Sequence, residues 1–349
     1  MTLLEAKNIS IEYKTEAGVL RAVEDVSFSL AVGESLGLVG ESGCGKTTLA
    51  KSIIRLLAKN GRISQGQMLF KGQDLVKLSD EEIRKLRLKE IAMVSQSAMN
   101  ALNPVYTVGD QLIEGICAHT TLSRKAAHAR AVEVFKMVGL EEKRLRSYPH
   151  QMSGGMKQRA IIAMALTLDP ALIIADEPTT ALDVVVQDQI LQQIIQLKKA
   201  INGSMILITH DISVVSETCE TIIVMYGGKI MEQAPTKVFF KQQVHPYSLG
   251  LNNAFPSITE IGEQLISIPG APPNLLEQQA GCRFQARCPF ADDTCRKEQP
   301  PLAPVGEGHL SACHYNYKAD YFRQESKKPQ TWQAVARRIE AEGIQKGGA

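Results

Sequence analysis

The segment Gly40-Glu41-Ser42-Gly43-Cys44-Gly45-Lys46-Thr47 has the spacing G-x-x-x-x-G-K-[ST], between an apolar run at 36–39 and a stretch of helical character from 46 to about 58. Glycines at these positions let main-chain N–H groups turn inward around phosphate oxygens. The helix that follows adds the positive end of its dipole. Lys46 has the reach for β- and γ-phosphates, and the Thr47 hydroxyl suits Mg²⁺. A buried strand, a glycine-rich turn and a helix in that order form the opening step of a parallel α/β sheet.

The rest of the chain continues that pattern. Residues 3–39 read as strands, and further short apolar runs at 91–95, 172–175, 205–209 and 222–226 read as buried strands. A helical run at 184–201 separates the third and fourth of these five strand regions. Ser79-Asp80-Glu81-Glu82 fits a capping box opening another helix. From about 108 to 168 the pattern is mostly helical, including the Ala- and charge-rich 123–138, which reads as an insertion into the sheet. Past His245-Pro246 the sequence is Pro-rich and irregular. A polar tail from 324 carries one short helical stretch around 332–342.

Composition excludes several classes. With 349 residues, 44% hydrophobic and 22% charged, the chain can bury a core and is not a disordered polymer. A net charge of +2 gives no electrostatic case for nucleic acid or an anionic membrane. The longest apolar stretch, 160–175, is cut by Asp169-Pro170, so it falls short of the about 20 residues that a spanning helix needs. The N-terminus does not read as a leader. The chain is expected in the cytoplasm, with any membrane connection made through a partner.

Two further motifs complete a nucleotide chemistry. Leu172-Ile173-Ile174-Ala175-Asp176-Glu177 is an apolar strand ending in two carboxylates, and the ends of parallel strands converge on the ligand crevice. Asp176 is suited to hold magnesium and Glu177 to orient the attacking water. In Ser153-Gly154-Gly155-Met156-Lys157-Gln158-Arg159 a serine N-cap precedes two glycines that leave N–H groups bare, a second anion site at a helix start. One phosphate loop plus one such site suggests a head-to-tail dimer in which each nucleotide is closed by the other subunit.

These motifs, in this order, closely resemble the ATP-binding-cassette (ABC) family over residues 1–240. The resemblance implies an α/β P-loop NTPase fold with a helical subdomain at about 100–168. It implies that Gly40, Ser42, Gly43, Cys44, Gly45, Lys46, Thr47 and Thr48 surround the phosphates, and that Tyr13 stacks on the adenine. Gln96 would touch magnesium and sense the γ-phosphate. Asp183, in Ala181-Leu182-Asp183, would lie on the loop crossing to the partner, and His210 would be the switch histidine. Ser153, Gly154 and Gly155 would close the partner's ATP. The implied catalytic group is Lys46, Gln96, Glu177 and His210, with Mg²⁺ held by Thr47, Gln96 and Asp176.

The segment after Gln96, Ser97-Ala98-Met99-Asn100-Ala101-Leu102-Asn103-Pro104, resembles the variant in importers of dipeptides, oligopeptides and nickel. Four of the seven cysteines, Cys282, Cys288, Cys295 and Cys313, fall within 32 residues, where an even spread would put fewer than one. In a cytosolic chain such a group reads as a metal site before a disulfide site. Its spacings lack the C-x₂-C knuckles of common zinc ribbons; four thiolates suit zinc or an iron–sulfur cluster, with unpaired or disulfide cysteines as the third reading. The segment is similar to the small Cys-rich C-terminal extension of peptide-importer ATPases, which implies a [4Fe–4S] cluster on these four residues. His309 and His314 read as bystanders, and Cys117 and Cys219 as core. The resulting domains are 1–240, 241–325 and a tail at 326–349. The implied partners are two membrane permeases, a second related ATPase forming a heterodimer, and an extracellular binding protein. A nickel or small-solute importer is the alternative cargo, and a soluble non-transport cassette ATPase the remote one.

Overall fold

The computed structural model describes residues 1–95, 101–178, 184–254, 266–277 and 279–341. The chain divides into two compact units: Met1–Leu4, Ser29–Ser35 and Leu69–Ile208 in the first, and Glu5–Phe28, Leu36–Met68 and Thr209–Ala349 in the second.

In the first unit three parallel strands, Ile91–Val94, Leu172–Asp176 and Ser204–Thr209, pair side by side, with Ile91 opposite Leu172 and Leu172 opposite Ser204. They are buried almost throughout, the reason their sequences are continuous apolar runs rather than alternating ones. The helical block follows the expectation: Val108–His119, Arg124–Met137 and Gly154–Leu166. Helix Arg124–Met137 buries Ala127, Ala131, Val134 and Phe135, one face at helical spacing, and exposes Arg124, Lys125, Glu133 and Lys136. The capping box exists as read: Ser79 Oγ accepts the Glu82 N–H at 3.3 Å, and the Glu82 carboxylate accepts the Ser79 N–H at 2.8 Å.

In the second unit strand Ser35–Val39 pairs in parallel with Thr221–Tyr226, Leu36 lying opposite Thr221. The chain then reverses through Gly227 and Gly228, both at positive φ (56° and 81°), as a two-residue hairpin turn demands, and returns as the antiparallel strand Lys229–Pro235. The short strands His309–Ser311 and Ala303–Gly306 add to its edge. Helix Lys46–Ile53 ends earlier than the expected 58, because Ile54 caps it and Arg55 turns left-handed at φ 49°.

The segment past His245 is more ordered than its composition suggests. Helices Pro246–Asn253, Asp293–Lys297 and Ala319–Glu325 lie within it. The tail forms helix Pro329–Ala341, whose buried Trp332 donates its indole N–H to the Ser326 carbonyl at 2.8 Å. A Cβ on Gly250 would stand 2.7 Å from that indole, so the glycine is needed for the approach. Glu232 is the node of this region. Fully buried, its carboxylate accepts the N–H groups of Val244 and His245 and His309 Nε2, at 2.8, 3.0 and 2.8 Å. Three donors satisfy a carboxylate that would otherwise be costly to bury.

Candidate active site

The phosphate loop lies in the second unit. Gly40 (φ 146°) and Gly45 (φ 104°) adopt backbone conformations closed to L-residues, and both are also boxed in by carbonyls. A Cβ on Gly40 would stand 2.2 Å from the Met225 oxygen, and one on Gly45 2.4 Å from that of Ala22. Gly43 (φ 78°) has open space around it. Gly45 caps helix Lys46–Ile53 with no side-chain hydrogen bond, so the first N–H groups have no side chain of the cap upon them. Lys46 is buried and folds back over the loop, donating to the Gly40 and Glu41 carbonyls at 2.7 and 2.9 Å. Cys44 is buried beside it, and burial pushes its thiol up, outweighing the opposing pull of the Lys46 ammonium. Thr47 and Thr48 are half-buried on the first turn. Tyr13 is half-buried, its ring 2.5 Å from where a Gly61 Cβ would stand. His210 is exposed, and Asp211 after it caps helix Ile212–Thr218 by accepting the Ser213 N–H at 2.9 Å.

The first unit carries the expected carboxylates and the serine–glycine–glycine segment. Asp176 ends its strand almost wholly buried, in register with Ile208. Glu177 continues the ladder by donating its N–H to the Ile208 carbonyl at 2.9 Å, yet has φ 47°. A left-handed glutamate turns the chain abruptly out of the sheet, local strain of the kind found where a side chain must be aimed. Ser153 caps helix Gly154–Leu166, accepting the Met156 N–H at 3.3 Å, and Gly154 and Gly155 form its first turn. The buried Gln158 donates its side-chain amide to the Pro178 carbonyl, tying this helix to the residue after Glu177. Gln96 and Asp183 lie outside the described residues.

The four clustered cysteines come together. Cys282, Cys288, Cys295 and Cys313 all line one apolar cavity, walled also by Phe284 and Phe322. Burial pushes the Cys282 thiol up to about 11 and Cys313 up to about 12, and Cys288 well above its usual range. N–H groups point at sulfur, Phe290 to Cys288 and Tyr315 to Cys313, each at 3.4 Å. Among the described residues, however, no three Cys, His, Asp or Glu side chains close on one ion position. A zinc site is therefore not preformed, and the expected cluster has no ready-made ligand set behind it. His245, at the cavity wall, accepts the Tyr247 N–H through Nδ1 at 3.1 Å; burial pulls its pKa down to about 4, leaving it neutral. His309 is engaged by Glu232, and His314 Nε2 lies 2.9 Å from the Glu298 carbonyl oxygen. Cys219 is buried as expected, but Cys117 is exposed, on the outward side of helix Val108–His119.

Sequence reasoning missed the group that holds the phosphate loop from outside. Arg287 makes a two-pronged ion pair with Glu41, at 2.6 and 2.9 Å, and the Tyr247 hydroxyl accepts the Glu41 N–H at 2.9 Å. A carboxylate inside an anion-binding loop was the available signal.

Comparison with known proteins agrees with the motifs. Residues 23–180 match the ABC transporter family model, and residues 231–295 match the C-terminal region of oligopeptide/dipeptide transporters. The chain is 46% identical to the oligopeptide transport ATP-binding protein OppD of Escherichia coli, over 89% of this chain and 92% of that one. With the dipeptide transport ATP-binding protein DppD of Escherichia coli it shares 41%, over 90% and 97%. Among solved structures, the dimeric post-hydrolysis state of the ATP-binding cassette MJ0796 with ADP and phosphate aligns at TM-score 0.61 and 30% identity. That alignment covers 67% of this chain and 98% of that one. The chain belongs to the ABC transporter family, as an ATPase of the ATP-binding type found in its oligopeptide and dipeptide transporters.

Proposed function

We propose that this chain hydrolyses ATP to power import of di- and oligopeptides, docked on two membrane permeases at the cytoplasmic face and paired with a second, related ATPase subunit. An external binding protein would deliver the cargo. No helix among the described residues is long and apolar enough to cross a membrane, so the connection is assigned to the permeases. The observation that carries the reading is the phosphate loop, whose positive-φ glycines and helix start without a side-chain cap suit a polyphosphate.

Lys46 and the loop N–H groups bind the phosphates. Thr47 and Asp176, with Gln96, are oxygen donors of the kind magnesium takes, and when bound the ion neutralises charge developing on the phosphates. Tyr13 supports the adenine, and Ser153, Gly154 and Gly155 close the partner's nucleotide, with Asp183 on the crossing loop. Glu177 orients the attacking water and accepts its proton, while Lys46 and His210 meet the charge that forms on the γ-phosphate. Glu177→Gln keeps the size and loses the base. The expected result is an ATP-bound dimer that accumulates with little turnover; undiminished hydrolysis would overturn the assignment.

The same reading puts a [4Fe–4S] cluster on Cys282, Cys288, Cys295 and Cys313. Its support is that all four cysteines line one apolar cavity, with N–H groups directed at the sulfurs of Cys288 and Cys313. When bound, the cluster would cross-link four points of the extension, a structural role. Anaerobically purified protein should carry iron and sulfide with visible charge-transfer absorption, lost in Cys288→Ser. Protein that is folded and active without iron would remove the cluster from the proposal.

A further inference from the structure

The phosphate loop contains a residue that its own chemistry does not favour. Glu41 is the second residue of a loop built to attract polyanions, and a carboxylate there opposes the phosphates. Every polar part of Glu41 is nonetheless engaged. Its carbonyl accepts Lys46 Nζ at 2.9 Å, its N–H goes to the Tyr247 hydroxyl at 2.9 Å, and its carboxylate takes both prongs of Arg287. The first of these partners belongs to the loop; the other two belong to the segment past His245.

Arg287 is held as firmly as it holds. Its side chain is 5% exposed, and it also donates to the Tyr226 hydroxyl at 3.1 Å and to the Ile268 and Pro269 carbonyls at 3.2 and 2.8 Å. Its guanidinium lies 5.6 Å from the centre of the Tyr226 ring. Tyr226 and Tyr247 are buried with ring centres 4.6 Å apart, and Phe284 packs on both. Burial pushes the Tyr226 hydroxyl up to about 12 and Tyr247 higher still, so both are neutral phenols at any working pH. Four residues earlier Arg283 pairs through one nitrogen with Glu24 at 2.6 Å, which Lys229 also reaches at 3.0 Å. Both arginines stand on the loop between Cys282 and Cys288, one side of which faces the cysteine cavity.

We propose that Arg287 and Tyr247 are positioning residues for ATP, acting through Glu41. Arg287 cancels the Glu41 charge and, with Tyr247, fixes the loop from which Lys46 reaches the phosphates. This rests on the reading of residues 40–47 as the ATP loop. The C-terminal extension thereby becomes part of the nucleotide affinity of the cassette.

The test uses the full-length chain, titrated with MgATP by calorimetry and assayed for ATPase activity and thermal stability. R287Q leaves the Glu41 charge uncompensated, and ATP affinity should fall about tenfold while kcat at saturating ATP changes little. E41Q/R287Q removes the charge together with its partner and should recover most of that loss. Arg287→Lys, which keeps the charge but not the fork, should lie between, and serves if R287Q does not fold. Tyr247→Phe should weaken binding less than R287Q. Arg296→Ala, removing an exposed arginine of the same extension paired with Asp293, is the control. The proposal is overturned if R287Q lowers stability but leaves ATP affinity unchanged, or if the double variant binds as weakly as R287Q. Wild-type protein that binds no MgATP would instead overturn the reading of the loop itself.

Discussion

The two glycine-bearing loops, one in each compact unit, use glycine for different reasons. In the phosphate loop Gly40 and Gly45 hold φ values of 146° and 104° with carbonyl oxygens where a Cβ would go. They are demanded by the backbone. In the second loop Gly154 and Gly155 are ordinary helical residues in the first turn after Ser153. Backbone geometry does not require glycine there, and helix propensity disfavours it. Glycines that the local backbone does not demand fit the proposal that this helix start lies against the partner's nucleotide. The anchoring differs as well: Gln158 ties the second loop to a residue 20 positions away, whereas Arg287 ties the phosphate loop to a segment 246 positions away.

The largest expected effect separates chemistry from both loops. Glu177→Gln should lower the hydrolysis rate by about 10²–10⁴-fold, the usual scale for removing a general base, with ATP still bound. If nucleotide affinity falls in parallel, Glu177 belongs to binding and the division is wrong. Next comes Gly40→Ala, which combines a forbidden φ with a collision at the Met225 carbonyl. It should cost about 3 kcal/mol or more in denaturant unfolding, where the uncrowded Gly43→Ala should cost about 1 kcal/mol. Gly155→Ala should go the other way, leaving stability unchanged or raised by up to about 1 kcal/mol. ATP-driven pairing of subunits, followed by light scattering, should nevertheless be lost. A destabilised Gly155→Ala would erase the contrast between the loops. Smallest is Ser153→Ala, which removes one N-cap bond and should cost about 1 kcal/mol.

Legibility followed the range of the interactions. The capping box at Ser79 and the strands at 91–94 and 172–176 come out within a residue of their reading, since burial on both faces and local hydrogen bonding leave direct sequence patterns. The hairpin into strand Lys229–Pro235 is also written locally, in the adjacent glycines Gly227 and Gly228 that supply its turn. The early end of helix Lys46–Ile53 was not legible, because it depends on Arg55 adopting a conformation that favours glycine. Cys117, expected in the core, is exposed, since its helix has apolar neighbours that face inward without it. The Pro-rich character past His245 concealed several short helices that Glu232, Trp332 and the buried arginines organise.

The sequence by itself determined the family and the candidates for cradling phosphate, ligating magnesium and activating water, because those demands are met by fixed residue types at fixed spacing. Only the tertiary structure decided what holds that chemistry in place. The pairing of Glu41 with Arg287, the burial of Lys46 and the gathering of four cysteines at one cavity join distant parts of the chain. Such contacts leave no periodicity and no motif, because a single ion pair or close approach needs only one suitable residue at each end.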